Sequence, residues 1–274
     1  MVRVLPPIVL GFALIGRDSP DRDAGGKLRA PLARVTAVRD VTAQARPIGI
    51  QHATVIDVEN NRRLRDQTVI IEGARIATVG PSDQVRIPDG YGVVDGRGKF
   101  IVPGFVDARP FARDSSGAID AAAARRRLER TVLIGVTTVV LTRADSAALQ
   151  PVGDVLMPRV QVVDAYRGAQ AATEPAAAVP PNEPTIVETL RLLVNGGASP
   201  GEAIRVTTFE IARVNGWHHR GGSVAPNRYA DLLILSANPL DDVNNVALID
   251  AMVVGGRFVD ANERNARIAR LPRR

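Results

Sequence analysis

Few side chains in this sequence could bind a metal ion or serve as a catalytic nucleophile. The chain has no cysteine and three histidines, at positions 52, 218 and 219. The lack of cysteine excludes thiolate metal sites, disulfides and a cysteine nucleophile. His52 falls in a run of β-branched residues, so we interpret it as a structural strand residue. His218 and His219 are adjacent, and neighbouring side chains of an extended chain point to opposite faces. The pair is therefore predicted to be a poor chelate.

The sequence also gives no support for a catalytic serine. Ser115 and Ser116 are adjacent, but no histidine is placed near them by a recognisable motif. The Gly-x-Ser-x-Gly turn that exposes a nucleophilic serine is also absent. The sequence thus predicts no hydrolytic triad.

The chain is basic, with 35 Lys and Arg against 29 Asp and Glu and a net charge of +6. The positive residues are almost all arginine, since lysine occurs only at positions 27 and 99. Apart from residues 125–127 and the tail from Arg267, they are scattered. Aromatic residues make up 4% of the chain and are not interleaved with them to stack on bases. We expect no specific nucleic-acid partner, and a basic surface-binding protein is the least favoured of three hypotheses.

The amino-terminal segment resembles a signal peptide only weakly. One positive charge, Arg3, precedes an apolar run over residues 5–15 that two prolines interrupt. The run is too short for a membrane-spanning helix, which needs about 20 residues. We interpret residues 1–47 as a disordered or signal-like segment. Export is one hypothesis for localisation, and a cytoplasmic location is the other.

Short strands separated by turn residues occur at both ends of the remaining chain. They are predicted over residues 48–57, 68–72, 75–80, 93–95, 100–102, 230–235, 249–254 and 257–259. This pattern is typical of an antiparallel β-sandwich. We predict a composite β-sandwich domain made of residues 48–102 and 220–262.

The middle of the chain has a different pattern. A helix is predicted over residues 118–133, followed by buried strands at 136–141 and 159–163. Two further helices are predicted. One begins after Thr185, with Glu188 at capping-box spacing, and the other begins after Ser199, with Pro200 at its first position. Helices alternating with buried strands indicate an α/β segment, here residues 103–219. Residues 263–274 are interpreted as a basic tail.

Several segments follow the order of the motifs of one known family. They are residues 53–57 (ATVID), 67–76 (QTVIIEGARI), 94–107 (VDGRGKFIVPGFVD), 135–139 (GVTTV), 158–160 (PRV), 222–226 (GSVAP), 230–232 (ADL), 238–240 (NPL) and 253–257 (VVGGR). The chain therefore resembles the amidohydrolases, in particular their imidazolonepropionase-like and prolidase-like branch. The resemblance implies a metal-dependent (β/α)₈ barrel, or TIM barrel, with a flanking β-domain. It also implies hydrolysis of non-peptide carbon–nitrogen bonds.

The residues at the family's metal-binding motif depart from it. The resemblance places Asp-x-His-x-His at positions 107–111, and this chain has Arg109 and Phe111 in place of the two histidines. A guanidinium has no lone pair to donate, and a phenyl ring offers none, so neither can ligate Zn²⁺. By resemblance, Asp107 is an inherited candidate to contact a metal, and Glu174 is a second candidate because it stands where the last-strand aspartate would fall. We predict no metal site, although zinc or another divalent metal is usual in the family.

The chain is also short for the fold that it resembles. A (β/α)₈ barrel needs about 250 residues, whereas Pro103 and Trp217 are only about 110 positions apart. We therefore predict a truncated barrel and a pseudoenzyme. Two ways to cover the open barrel side stay open: the two capped helices packing on the short sheet, and a homodimer hiding its edge. The alternative is an active amidohydrolase whose site is atypical or completed by a partner.

Overall fold

The structure is a computed structural model that describes residues 36–37, 46–108, 119–143, 146, 156–163 and 185–271. Most of segment 1–47 lies outside these ranges, as do Arg109, Phe111, Ser115, Ser116 and Glu174. The strands within them are β1 (Thr36–Ala37), β2 (Ile48–Asp57), β3 (Arg62–Glu72), β4 (Arg75–Pro81), β5 (Gly92–Asp95), β6 (Phe100–Pro103), β7 (Phe105–Asp107), β8 (Val136–Thr142), β9 (Arg159–Val163), β10 (Leu232–Leu235), β11 (Ile249–Val254) and β12 (Arg257–Asp260).

Strands from both ends of the chain pair in one eight-stranded sheet. The order is β12-β11-β10-β6-β2-β3-β4, and β5 also pairs with β2. β10 connects the two ends, because Leu233 lies opposite Val102 of β6 on one side and Met252 of β11 on the other. The apolar residues of this composite sheet are buried, including Ile101 and Val253 at 0% exposure.

The expectation of a purely antiparallel arrangement is wrong at β2. This strand pairs in parallel with β5 through Ile48 and with β6 through Thr54. Turn residues mark where a strand ends but not the direction of the next one, so the sequence pattern could not show this. The turn between β5 and β6 crosses close to β2 at Gly96. A Cβ atom on Gly96 would lie 2.7 Å from that of Ala53, which explains why glycine stands there.

The second sheet holds β7, β8 and β9 in parallel, with β1 antiparallel on its outer edge, in the order β1-β9-β8-β7. β8 is buried on both faces from Val136 to Leu141, as expected for the central strand of a parallel sheet. β7 follows β6 after a single residue, Gly104. A Cβ atom there would lie 1.9 Å from Oγ1 of Thr137, so only glycine allows this close approach.

The helices are α1 (Ala121–Leu133), α2 (Ile186–Asn195), α3 (Pro200–Arg205) and, after a π-helical turn over Val206–Glu210, α4 (Ile211–Val214), then a 3₁₀ turn at Val243–Ala247 and α5 (Ala261–Arg270). α2 begins with the capping box predicted from Thr185. α3 has the predicted proline in its first turn, and it also has a capping box, formed by Ser199 and Glu202.

One detail of the helices differs from the prediction, and one segment has a structure that the sequence analysis did not specify. The helix after Ser199 is not α-helical throughout, because residues 206–210 form the π turn. Thr207 and Thr208 lie in it, and their hydroxyls donate to the carbonyls of Ala203 and Ile204, contacts that often bend helices. The segment treated as a basic tail is largely helix α5. Its cap is Asp260, which accepts from the backbone N–H of Glu263.

Three apolar clusters fill the space between these elements. The largest joins α1, α2 and α3 to both sheets, and it includes Leu128, Leu190 and Leu233. A second lies within the composite sheet. The third is small and covers the face of the parallel sheet away from α1, which we call the inner face.

Candidate functional site

Asp107 is the one inherited candidate among the described residues. It is the last residue of β7 and is 8% exposed. Oδ2 accepts a hydrogen bond from the Arg127 guanidinium at 3.1 Å, an ion pair between β7 and α1. In the parallel register Asp107 lies beside Val139, which packs in the cluster around α1. Its side chain therefore points toward α1 and not toward the inner face.

The described residues do not fit a divalent metal ion at this position. Within them, no group of three or more His, Asp or Glu side chains is close enough to hold a metal. The Asp107 carboxylate is already engaged by a guanidinium, and the two positions that follow it in the family motif carry Arg109 and Phe111. A bound cation would therefore meet positive charge where it needs lone pairs.

The imidazole of His52 is half-buried in β2. Its Nδ1 lies 2.8 Å from Oδ1 of Asp66 in β3. Both residues have positive φ, 61° and 51°, where the β2–β3 register shifts. Such φ values are uncommon outside glycine, and aspartate and histidine tolerate them better than most residues. The hydrogen bond from His52 is the main cause that lowers the pKa of Asp66 below its ordinary value.

His218 and His219 follow α4 in a turn, not in extended chain. The expectation that they point to opposite faces is wrong for this reason. Their rings meet edge to face, with centroids 5.8 Å apart, and the Phe209 ring lies 6.0 Å from His218. Partial burial is the largest cause that lowers the pKa of His219, followed by the positive charge of Arg220.

A buried ion pair connects the two sheets. Nε of Arg159, in β9, lies 2.6 Å from Oδ2 of Asp231, which directly precedes β10. Oδ1 of Asp231 accepts from the backbone N–H of Gly255 at 2.6 Å. The Arg159 guanidinium also lies 3.8 Å from the centre of the Tyr229 ring. Asp231 and Gly255 belong to the ADL and VVGGR motifs, and their spacing in sequence does not reveal that Arg159 joins them.

The inner face combines apolar packing with buried polar groups. Val106, Ala108, Val140, Val163 and Ala212 pack there against the indole of Trp217. Gln161 pairs with Val140 in the parallel register, so its side chain lies on the same face. Sequence reasoning missed both Gln161 and Trp217, because a lone glutamine in a strand and a lone tryptophan after a helix match no catalytic motif.

Comparison with known proteins identifies the fold. Residues 180–259 match the model of the amidohydrolase family. No curated protein matches the sequence significantly. The resemblance to the amidohydrolases is confirmed. The part of this amidohydrolase-like chain that matches the family model begins six residues before α2 and ends within β12. It contains Trp217 and Asp231 but not positions 107–111.

Solved structures match over most of the amidohydrolase-like chain. A putative prolidase from Bifidobacterium longum has a TM-score of 0.58 at 16% identity, over 82% of this chain and 98% of that one. A molinate hydrolase has a TM-score of 0.57 at 14% identity, over 79% and 95%. A Xaa-Pro dipeptidase has a TM-score of 0.56 at 12% identity, over 78% and 100%. At these identities the likeness shows the fold, a mixed α/β arrangement in agreement with the predicted class. In the described part of the chain, no helix is long and apolar enough to cross a membrane.

Proposed function

We propose that this amidohydrolase-like chain is a non-catalytic relative of hydrolases that act on non-peptide carbon–nitrogen bonds. The observation that carries the proposal is the ion pair between Asp107 and Arg127. The carboxylate of Asp107, a candidate by resemblance, is turned toward α1 and is held by the guanidinium of Arg127. Arg109 and Phe111 occupy the positions of the family's paired histidines.

The chemical consequence follows from what a metal supplies. Zinc lowers the pKa of bound water from about 15.7 to about 7, which makes hydroxide available at neutral pH. None of the described side chains forms a histidine–carboxylate constellation on the inner face that could replace that activation. Glu174, the other inherited candidate, lies outside the described residues.

The proposal extends to the domain organisation of the chain. We propose that the eight-stranded sheet corresponds to the composite β-sandwich of residues 48–102 and 220–262. The three parallel strands would then be the remnant of a truncated barrel within residues 103–219. A homodimer through the open side of that remnant also stays a prediction.

Metal analysis together with a hydrolysis panel tests the proposal. After incubation with zinc and dialysis, we expect well under one zinc ion per chain by elemental analysis. We also expect no turnover of a hydantoin, a dihydropyrimidine or a Xaa-Pro dipeptide above the buffer rate. One zinc per chain with turnover of any of these would show an active enzyme with an atypical site and refute the proposal.

A gain-of-ligand variant sharpens the test. Arg109→His/Phe111→His restores the two imidazoles, and we expect it to retain more zinc than the natural sequence. Arg126→His is the matched control, because it adds an imidazole at an exposed position of α1. If the control retains as much zinc as the double variant, positions 109 and 111 do not limit metal binding.

A further inference from the structure

The positive charge of this chain is concentrated in two segments. Residues 120–134, which include α1, and residues 261–274, which include α5, together contain nine arginines and three acidic residues, a net charge of +6. The whole chain also has a net charge of +6, so the rest of it is neutral in sum. Charge of one sign on one surface attracts partners of the opposite charge. Such a surface exists only if the two segments meet in the fold.

Helix α5 does contact α1. It packs against α1 and against strands β11 and β12. Nε of Arg264, in α5, donates a hydrogen bond of 2.7 Å to the carbonyl of Leu133, the last residue of α1. A cation at this end of a helix is also attracted by the partial negative charge of the last carbonyl groups. The contact joins two arginine clusters that are separate in the sequence.

The outer side of α1 carries arginines that lead to an exposed isoleucine. Arg126, Arg130 and Ile134 are four residues apart, so they form one stripe along the helix. The stripe lies opposite the side on which Leu128 and Val132 are buried. Ile134, directly after the last residue of α1, is 36% exposed. Basic and apolar groups therefore share the end of α1 that α5 contacts.

α5 extends this combination beyond the end of α1. Ile268 follows Arg264 by one turn on the same side of α5, and it is 38% exposed. Glu263, the only acidic residue of α5, is already paired with Arg257 and Arg267, so its charge is compensated. We call the combined set the arginine surface; it consists of Arg126, Arg130, Ile134, Arg264, Ile268 and Arg270.

We propose that the arginine surface docks on a lipid bilayer that contains anionic lipids. The guanidinium groups bind the lipid phosphates, and Ile134 and Ile268 enter the boundary between the head groups and the acyl chains. Arginines together with exposed apolar residues are typical of helices that lie in this boundary. Docking goes beyond the proposed function, because it needs neither a metal nor hydrolysis.

A nucleic acid fits the arginine surface less well than a bilayer does. Neither α1 nor α5 contains an aromatic residue that could stack on a base. The exposed isoleucines would also find no apolar partner on a sugar–phosphate backbone. The bilayer is therefore the occupant that matches both the charge and the apolar side chains.

Co-sedimentation of the full chain with vesicles tests the proposal. We expect binding to vesicles of phosphatidylcholine mixed with phosphatidylserine to be at least about tenfold stronger than binding to phosphatidylcholine alone. Raising the NaCl concentration from about 0.1 M to about 0.5 M should release most of the protein, because salt screens the attraction. Equal binding to both kinds of vesicle, or binding that salt does not weaken, overturns the proposal. Binding to a DNA duplex without binding to vesicles also overturns it and indicates a nucleic-acid partner.

Variants at exposed positions locate the binding. Arg126→Gln/Arg270→Gln removes two arginines of the surface, and we expect it to weaken binding to the phosphatidylserine vesicles at least about tenfold. Arg65→Gln/Arg86→Gln is the matched control, because it removes the same net charge at exposed positions outside both helices. It should bind as the natural sequence does. Equal losses in the two double variants would show that binding follows net charge alone and would overturn the proposal.

A substitution that keeps every charge tests the apolar part of the contact. Ile268→Ser removes an exposed apolar side chain, so we expect weaker binding to the phosphatidylserine vesicles with the same dependence on salt. Binding unchanged by Ile268→Ser would overturn the proposed contact with the bilayer.

Discussion

The composite sheet and the parallel sheet differ in how their buried polar groups are satisfied. Among the described residues, buried side-chain atoms without a hydrogen-bond partner lie in the middle of the chain, on Thr137, Gln161, Asn215 and Trp217 among others. None lies in the eight-stranded sheet. There Thr68 is 1% exposed but donates to Oγ of Ser82 at 3.0 Å. In the described residues the composite sheet therefore satisfies its buried side-chain polar groups internally, whereas the parallel sheet and the helices around it keep unsatisfied donors and acceptors.

The largest effect is expected where the two sheets meet. Replacing Arg159 by alanine leaves the Asp231 carboxylate, whose side chain is 7% exposed, without its cationic partner. Breaking a buried pair from one side costs about 3–5 kcal/mol. We therefore expect Arg159→Ala to lower the free energy of unfolding by about that amount, measured by urea denaturation.

Arg75→Ala is the control for this substitution. Arg75 also lies over the Tyr229 ring, at 4.7 Å, but it is exposed to solvent. An exposed cation–π contact contributes about 0.5–1 kcal/mol. If Arg159→Ala and Arg75→Ala lower the free energy of unfolding equally, the buried ion pair stabilises the protein no more than the exposed cation–π contact does. The ion pair would then not be what holds the two sheets together.

A matched pair of threonines tests the contrast in hydrogen bonding directly. Thr68→Val in the composite sheet removes a satisfied hydroxyl and leaves Ser82 without that donor, so we expect a loss of about 1 kcal/mol. Thr137 is 0% exposed and its Oγ1 is unpartnered. Thr137→Val removes an unsatisfied group at nearly constant volume, so we expect unchanged or higher stability.

Thermal and urea unfolding of both variants measures whether each substitution lowers or raises the free energy of unfolding. The comparison fails if Thr137→Val is as destabilising as Thr68→Val, because the Thr137 hydroxyl would then have a partner in solution.

The sequence predicted the local elements better than their connections. β2, β9 and β11 have the predicted bounds, because runs of β-branched residues between turn residues are short-range features. The capping box at Thr185 and the helix start at Ser199 and Pro200 were predictable for the same reason. The parallel pairing of β2 and the π turn were not, because the first depends on strand direction and the second on hydrogen bonds that composition does not encode. Helix α5 was missed although Asp260 and Glu263, at its start, have the same spacing as Thr185 and Glu188.

The candidate site was less accessible to sequence reasoning. The residue types alone are enough to argue that Arg109 and Phe111 cannot ligate a metal. The structure does not test that argument, because these two positions and Glu174 lie outside the described residues. The side of the sheet to which Asp107 points depends on the register shift between Phe105 and Val106, which no motif shows. Gln161 lies in β9 and Trp217 follows α4. Only the tertiary structure shows that both side chains lie on the inner face.

The smallest expected effect is in the dependence of stability on pH, where the two regions should again differ. The pKa of His219 is lowered, chiefly by burial, so the folded state binds fewer protons than the unfolded state just below the ordinary value of about 6.5. Stability should therefore fall as pH drops below about 6.5, down to the folded-state pKa, and then level off. We expect His219→Gln to remove this slope.

Asp66 gives the corresponding effect in the composite sheet. Its pKa is lowered, chiefly by the hydrogen bond with His52, so its contribution is fully present above the ordinary value of 3.8. It is lost as pH falls through the lower folded-state pKa. Asp66→Asn should flatten the stability curve only below about pH 4, while His219→Gln acts only below about pH 6.5. Urea unfolding between pH 3 and 8 measures both. The side chains of Asp66 and His219 are largely exposed, so stability should change only slightly with pH in either range. A steep change in either range would show that the side chain is more deeply buried in solution.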